Sequence, residues 1–360
     1  MYQRVGSQTG SRRALADIGK TTEYGELNMS QLRGAGIVGT GSYAPEKVLT
    51  NSDLEKMVDT SDEWIVTRSG IRERRIVADD QAASDLAFEA AKRALDSAGI
   101  TPEKIDLIIC ATITGDMPFP STSCLLQDML GAKNAAAFDL QAGCSGWVYS
   151  LSTGAQFVRN GTYDHILVVG VDILSRFTDW TDRSTCVLFG DAAGAVVLGP
   201  TAPGTGVLSA HLGADGSGRE LLKMDGGGSR LPPSEETVRK GQHLIRMEGR
   251  EVFKFAVRIM GEASIKALEM CGLTPEDVDL FVPHQANIRI IEAAAARLNL
   301  PPEKVFLNVE KYGNTSAASI PVALDEAYRS GRIKDGAVVV CVGFGAGLTW
   351  AAAVLKWTLP

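Results

Sequence analysis

From Ala35 onward the chain alternates between two textures. Short runs rich in Val, Ile and Ala are apolar at successive positions. They are followed by longer Ala-rich stretches in which apolar residues recur every three or four. The first texture predicts strands buried on both faces, and the second predicts amphipathic helices packed against them. Strands are expected at 106–112 (DLIICAT), 135–140 (AAAFDL), 165–172 (HILVVGVD), 192–199 (AAGAVVLG), 278–283 (VDLFVP) and 337–344 (AVVVCVGF). Helices are expected at 83–99, 144–161, 252–272 and 287–300. Such alternation indicates an α/β fold.

The pattern also repeats. AGITPEKIDLIIC (98–110) aligns with CGLTPEDVDLFVP (271–283) at an offset of 173 residues, each after a long amphipathic helix. In both copies a helix closes on Gly, Thr-Pro-Glu starts a turn, and Ile/Val-Asp opens a buried strand. FGDAAGAVVLG (189–199) echoes FGAGLTWAAAVL (344–355) near the ends of the two halves. A period this long predicts a duplicated domain rather than a solenoid, with halves at 35–206 and 207–360. Ligands of α/β folds bind at strand ends, so a cleft between the halves is the expected site. Residues 1–34 lack apolar periodicity and carry both Arg and acidic residues. They read as a loosely ordered extension of unassigned role, with Met29 as a second candidate start.

Composition narrows the picture only slightly. A net charge of −7 argues against a general nucleic-acid binder. The six cysteines show no CxxC pair and no zinc-ligand spacing, which fits reduced, cytoplasmic usage and no bound metal. No run approaches the about 18 uninterrupted apolar residues of a membrane span.

Candidate chemistry collects where strands end. Cys144, in QAGCSGW, begins a predicted helix, where the dipole and free N–H groups would favour a thiolate. Its other reading is a small buried residue. His284, in VPHQAN, directly follows the repeated strand of the second half and reads equally as a helix cap. Asn314, in GNTSAAS, is by itself an ordinary turn residue or N-cap. Together, a thiol and two neutral hydrogen-bond donors suit thioester chemistry that passes through an enolate. The Gly-rich turn GFGAG (343–347) offers a backbone N–H to an oxyanion.

At these residues the sequence resembles the thiolase-fold condensing enzymes, specifically β-ketoacyl-[acyl-carrier-protein] synthase III. GTGSYAPEKVLTNSDLEKMVDTSDEWIVTRSGIRERR (39–75), AGCSGW, FGDAAGA, VPHQANIRII, GNTSAAS and CVGFGAGLTWAAAV occur in the family's order, covering about Ala35 to Trp357. The resemblance implies two duplicated βαβαβαββ halves forming a five-layered αβαβα sandwich. It implies Cys144, His284 and Asn314 as the catalytic set, with the backbone N–H groups of Cys144 and Ala346 as oxyanion hole. Acyl-CoA, expected as acetyl-CoA, would acylate Cys144. Malonyl-acyl carrier protein would then condense with loss of carbon dioxide, initiating fatty-acid synthesis with no cofactor. Trp64, Arg68 and Arg183 would hold the nucleotide of CoA, and Phe253, Ala286 and Asn287 its pantetheine arm. Phe119 would close the acyl pocket across a homodimer, and Lys254, Arg289 and Arg297 would dock the acidic carrier protein. The alternative is a secondary-metabolism enzyme of the same fold with another starter or acceptor. No nucleic acid or membrane partner is implied; a cytoplasmic enzyme is expected, with a plastid stroma the other setting.

Overall fold

The β-branched runs fold as strands, and they do so twice in the same order. The computed structural model describes residues 33–360. Apart from its last two residues, the expected N-terminal extension lies outside the described residues. The first half comprises β1 (Gly34–Tyr43), β2 (Lys47–Thr50), α1 (Asn51–Leu54), α2 (Asp62–Ser69), β3 (Glu73–Ile76), α3 (Ala83–Ala98), β4 (Leu107–Ala111), α4 (Thr122–Leu130), β5 (Ala136–Leu140), α5 (Gly146–Arg159), β6 (Ile166–Ile173) and β7 (Asp191–Thr201). The second comprises β8 (Gly206–Ala214), β9 (Leu222–Lys223), α6 (Glu235–Arg239), β10 (Arg246–Met247), α7 (Gly249–Met270), β11 (Leu280–Pro283), α8 (Ile288–Arg297), α9 (Val309–Tyr312), α10 (Ser319–Arg329), β12 (Val338–Gly345) and β13 (Thr349–Lys356).

In the first half the strand order is β5-β4-β6-β7-β1, and in the second β11-β12-β13-β8. β4 runs parallel to β5 and β6, while β6–β7 and β7–β1 are antiparallel. The second half copies this: β11 is parallel to β12, and β12–β13 and β13–β8 are antiparallel. A lone parallel bridge from Phe281 to Val305 stands where β5 stands in the first. The two sheets meet through a single pair, Ala35 with Gly206.

Helices α5 and α10 lie between the sheets and touch strands of both. α3 and α4 cover the outer face of the first sheet, and α7, with α8 against it, that of the second. The five layers of the thiolase-like fold follow from this stacking. Burial explains it: the middle core joins Trp147 and Leu151 of α5 with Ile320 and Leu324 of α10, all fully buried. Each central helix is entered through one 3-10 turn, Gly143–Ser145 before α5 and Ser316–Ala318 before α10, and the two turns touch. The repeated Thr-Pro-Glu also recurs in space, as 3-10 turns Pro102–Lys104 and Pro275–Asp277 feeding β4 and β11.

Candidate active site

Cys144 occupies the turn between β5 and α5. Gly143 has φ of +53° there, and a Cβ on it would lie 2.8 Å from Ala346 N. A Cβ on Gly345 would lie 2.3 Å from Cys144 N. Absence of side chains at these two positions is therefore what brings the Cys144 and Ala346 backbones together. The hydroxyls of Ser145 and Thr349 are 2.9 Å apart and share the carbonyl of Ala142, at 2.7 and 2.8 Å. That contact ties the cysteine turn to β13 of the other half.

The ionisation expected of this thiol is corrected by its surroundings. Cys144 precedes α5 and is only 9% exposed. Burial pushes its pKa up to about 12; the Ser316 hydroxyl offsets part of the rise, and the buried Asp172 carboxylate adds to it. A low-dielectric site disfavours the charged form more than one helix start favours it. Burial thus favours the neutral thiol over the thiolate.

His284 follows β11 and is 1% exposed. Its N–H donates to Val342 O at 2.7 Å, its ring meets Phe344 edge-on at 5.7 Å, and Nδ1 lies 2.6 Å from Ser319 Oγ. Burial pushes its pKa down to about 3, so the imidazole is neutral. A serine proton given to Nδ1 leaves the ring's own proton on Nε2. Asn314 is held by its backbone, which exchanges bonds with Leu188 O and Gly190 N at 2.8 and 3.0 Å. Its Oδ1 accepts from Ser316 N at 2.9 Å, which leaves the amide N–H groups to donate elsewhere.

Two cavities meet at Cys144. One, of about 270 Å³, is lined by Cys144, His284, Asn314, Trp64, Arg68 and Phe253, with Ala286 and Asn287 also on its wall. The other, of about 200 Å³, is more apolar; Ile113, Leu174, Phe177, Phe189 and Met224 line it beside Cys144 and Ala346.

At the mouth of the larger cavity the Arg183 and Arg68 guanidiniums lie 4.8 and 5.7 Å from the Trp64 ring. Arg183 also pairs with Asp59 at 3.3 Å. Asn287 caps α8 through Oδ1 and donates to Arg68 O at 2.9 Å, so its amide locks α8 to α2. Arg289 stacks on Phe253 at 5.2 Å, and Lys254 pairs with Glu251 at 2.7 Å. Arg297 does not join them: it packs on Gly261 and pairs with Glu262 at 3.1 Å, two turns further along α7. Phe119 lines neither cavity and is 84% exposed. Sequence reasoning missed Ser319 and Phe344 as supports of His284, although both stand inside the motifs GNTSAAS and GFGAG. Among the described residues, no cluster of His, Cys, Asp and Glu is placed to hold a metal.

The chain matches the family model described as 3-Oxoacyl-[acyl-carrier-protein (ACP)] synthase III over residues 138–216, and that of its C terminal over residues 268–357. A β-ketoacyl-[acyl-carrier-protein] synthase III of Caldanaerobacter subterraneus subsp. tengcongensis is 61% identical, over 90% of this chain and 98% of that one. The crystal structure of 3-oxoacyl-[acyl-carrier-protein] synthase III from Aquifex aeolicus superposes with a TM-score of 0.84 at 50% identity, covering 90% and 100% of the two chains. The priming β-ketosynthase of the R1128 polyketide pathway also gives 0.84, at 38% identity, covering 91% and 97%.

Proposed function

The chain belongs to the β-ketoacyl-[acyl-carrier-protein] synthase III family, and we propose that Cys144, His284 and Asn314 carry out its decarboxylative condensation of an acyl-CoA with malonyl-acyl carrier protein. The observation that carries this reading is the position of Cys144, where a larger, arginine-flanked cavity meets a smaller apolar one. Pantetheine enters through the first, and the acyl chain lodges in the second.

Cys144 Sγ attacks the acyl-CoA carbonyl, and the carbonyl oxygen turns toward the backbone N–H groups of Cys144 and Ala346. The C–S bond to CoA breaks, and the thiol proton ends on the departing sulfur. Because the resting thiol is protonated, its proton must leave as the new C–S bond forms, so the sulfur carries thiolate character only in that step. Malonyl-acyl carrier protein then replaces CoA. Its C–CO₂ bond breaks, and the electron pair becomes an enolate whose oxygen accepts from His284 Nε2–H and the Asn314 amide. Being neutral, both groups donate without pulling the malonyl carboxylate toward a cation and away from cleavage. The enolate carbon attacks the Cys144 thioester, the Cys144 thiolate leaves, and a proton from water restores the thiol. The product is a 3-ketoacyl carrier protein.

Trp64, Arg68 and Arg183 form the nucleotide end of this path, with Phe253, Ala286 and Asn287 along the arm. Arg289 and Lys254 flank the mouth, where they meet the acidic carrier protein; Arg297 adds at most a more distant charge. Exposed Phe119 and the open edge of β5, where Phe138 is 36% exposed, suit a second copy of the chain. In that homodimer Phe119 closes the neighbouring acyl chamber.

The test is intact mass after incubation with a panel of acyl-CoAs, chased with malonyl-acyl carrier protein. An acyl adduct on Cys144 that leaves as a 3-ketoacyl product supports condensation. An adduct that ignores the chase would indicate acyl transfer to another acceptor. No adduct with any acyl-CoA would refute the assignment of the site.

A further inference from the structure

Arg74, on β3, is fully buried. Among the described residues it makes no ion pair, and its Nε has no hydrogen-bond partner. Desolvation lowers its pKa only to about 10, so the guanidinium stays charged near neutral pH. Burying an uncompensated cation costs stability that an apolar residue of similar size would not cost. What the charge does hold is therefore informative.

Nη1 donates to Leu49 O on β2 at 3.1 Å and to Asn51 Oδ1 at 2.9 Å, and Nη2 donates to Val187 O at 2.8 Å. Asn51 passes the connection on. Its Nδ2 lies 2.8 Å from both Asp62 Oδ1, in the first turn of α2, and Ile71 O, just beyond the end of that helix. α2 carries Trp64 and Arg68. Val187 closes the segment that carries Arg183. The three side chains of the nucleotide end thus come from two chain segments far apart in sequence, and one guanidinium joins those segments. Gly190 leaves the room for it, since a Cβ there would lie 3.0 Å from Arg74 Cβ.

We propose that Arg74 is a positioning residue for acyl-CoA: it fixes α2 to the 183–187 segment, so that Arg68 and Arg183 keep their spacing about Trp64. The role rests on the assignment of those three side chains to the nucleotide of CoA. A planar fork reaches three acceptors in different segments, which a lysine ammonium cannot match in geometry.

The test compares acetyl-CoA with acetyl-pantetheine, which lacks the nucleotide, as donors to Cys144 in the wild type and in Arg74→Lys. Acylation is followed by intact mass. The variant should raise KM for acetyl-CoA by about tenfold, with kcat and the acetyl-pantetheine reaction within about threefold of wild type. Equal slowing with both donors, or no change with either, would overturn the role. Circular dichroism and thermal melting establish that the variant is folded. If Arg74→Lys does not fold, Asn51→Ala cuts the same connection one step away and must show the same donor-selective rise; its absence would overturn the role. Equal KM values for the two donors in the wild type would remove the nucleotide site itself, and this role with it.

Discussion

Replacing Ser319 by Ala removes the hydroxyl 2.6 Å from His284 Nδ1, and no other group bonds that nitrogen. The ring is 1% exposed, so water does not substitute. A neutral imidazole carries one proton, and the proposed decarboxylation needs it on Nε2, which a serine O–H donated to Nδ1 would secure. Leaving a buried nitrogen unpaired costs about 1–3 kcal/mol, and at about 1.4 kcal/mol per decade this is roughly a tenfold to hundredfold loss. The loss should fall on the step that uses Nε2–H as donor. Malonyl decarboxylation by pre-acylated enzyme, read in single turnover, should slow by that factor. Acylation of Cys144 by acyl-CoA should stay within about twofold, because the oxyanion there is met by backbone N–H groups. If both half-reactions slowed equally, or decarboxylation kept its rate, Ser319 would not be setting the tautomer and the roles given to His284 would be wrong.

Three further outcomes follow from the same geometry. Gly345→Ala places a Cβ 2.3 Å from Cys144 N, against backbone that cannot swing away; acylation should fall by about 10²-fold or more, and near-normal adduct formation by mass would refute the oxyanion assignment. Asn314→Ala should acylate normally yet lose most decarboxylation, as measured by carbon dioxide release from malonyl-acyl carrier protein. His284 makes the fold acid-sensitive: unfolded chains bind its proton below about pH 6.5, while the native site refuses it until about 3. The native state therefore loses stability as pH falls through that window, by about 2–3 kcal/mol at pH 4.5 from this group. Melting temperatures of His284→Gln should fall less steeply than wild type between pH 7 and 4.5, and parallel curves would exclude the effect.

The architecture was legible because strands buried on both faces must be written as unbroken apolar runs, and because Thr-Pro-Glu marks the same turn twice. β1 escaped that reading. Its sequence, GAGIVGTGSY, is thinned by glycines, since Cβ atoms at Gly39 and Gly41 would strike the α3 carbonyls of Ala94 and Ala90. Close packing of a helix on a strand erased the apolar signal that announces strands. In the site, Cys144 and His284 were singled out by position, each after a strand, and the structure sets both on one cavity. The ionisation of Cys144 was not legible, because a helix start is local while burial is set by both halves. Arg74 is one of four arginines in IRERRI and its upstream neighbour TRSG, and no local pattern says which charge goes inside. Arg297 could not be placed for the converse reason: a basic residue on a helix faces wherever its neighbours leave room, and here it packs on Gly261 and pairs with Glu262 of α7.

The matched 3-10 turns at the starts of α5 and α10 have an evolutionary consequence. Doubling the half-domain set two equivalent turns against each other, each delivering small residues to the same spot; the N–H groups of the second are already taken by Asn314 Oδ1, Asp172 and Thr315 O. Only the first carries a thiol; the second, Ser316–Ala318, lies between Asn314 and the Ser319 that opens α10. Under the proposed mechanism, capture of an acyl group and generation of a carbanion would fall to twin turns that already face one another, with no element added to the repeated half.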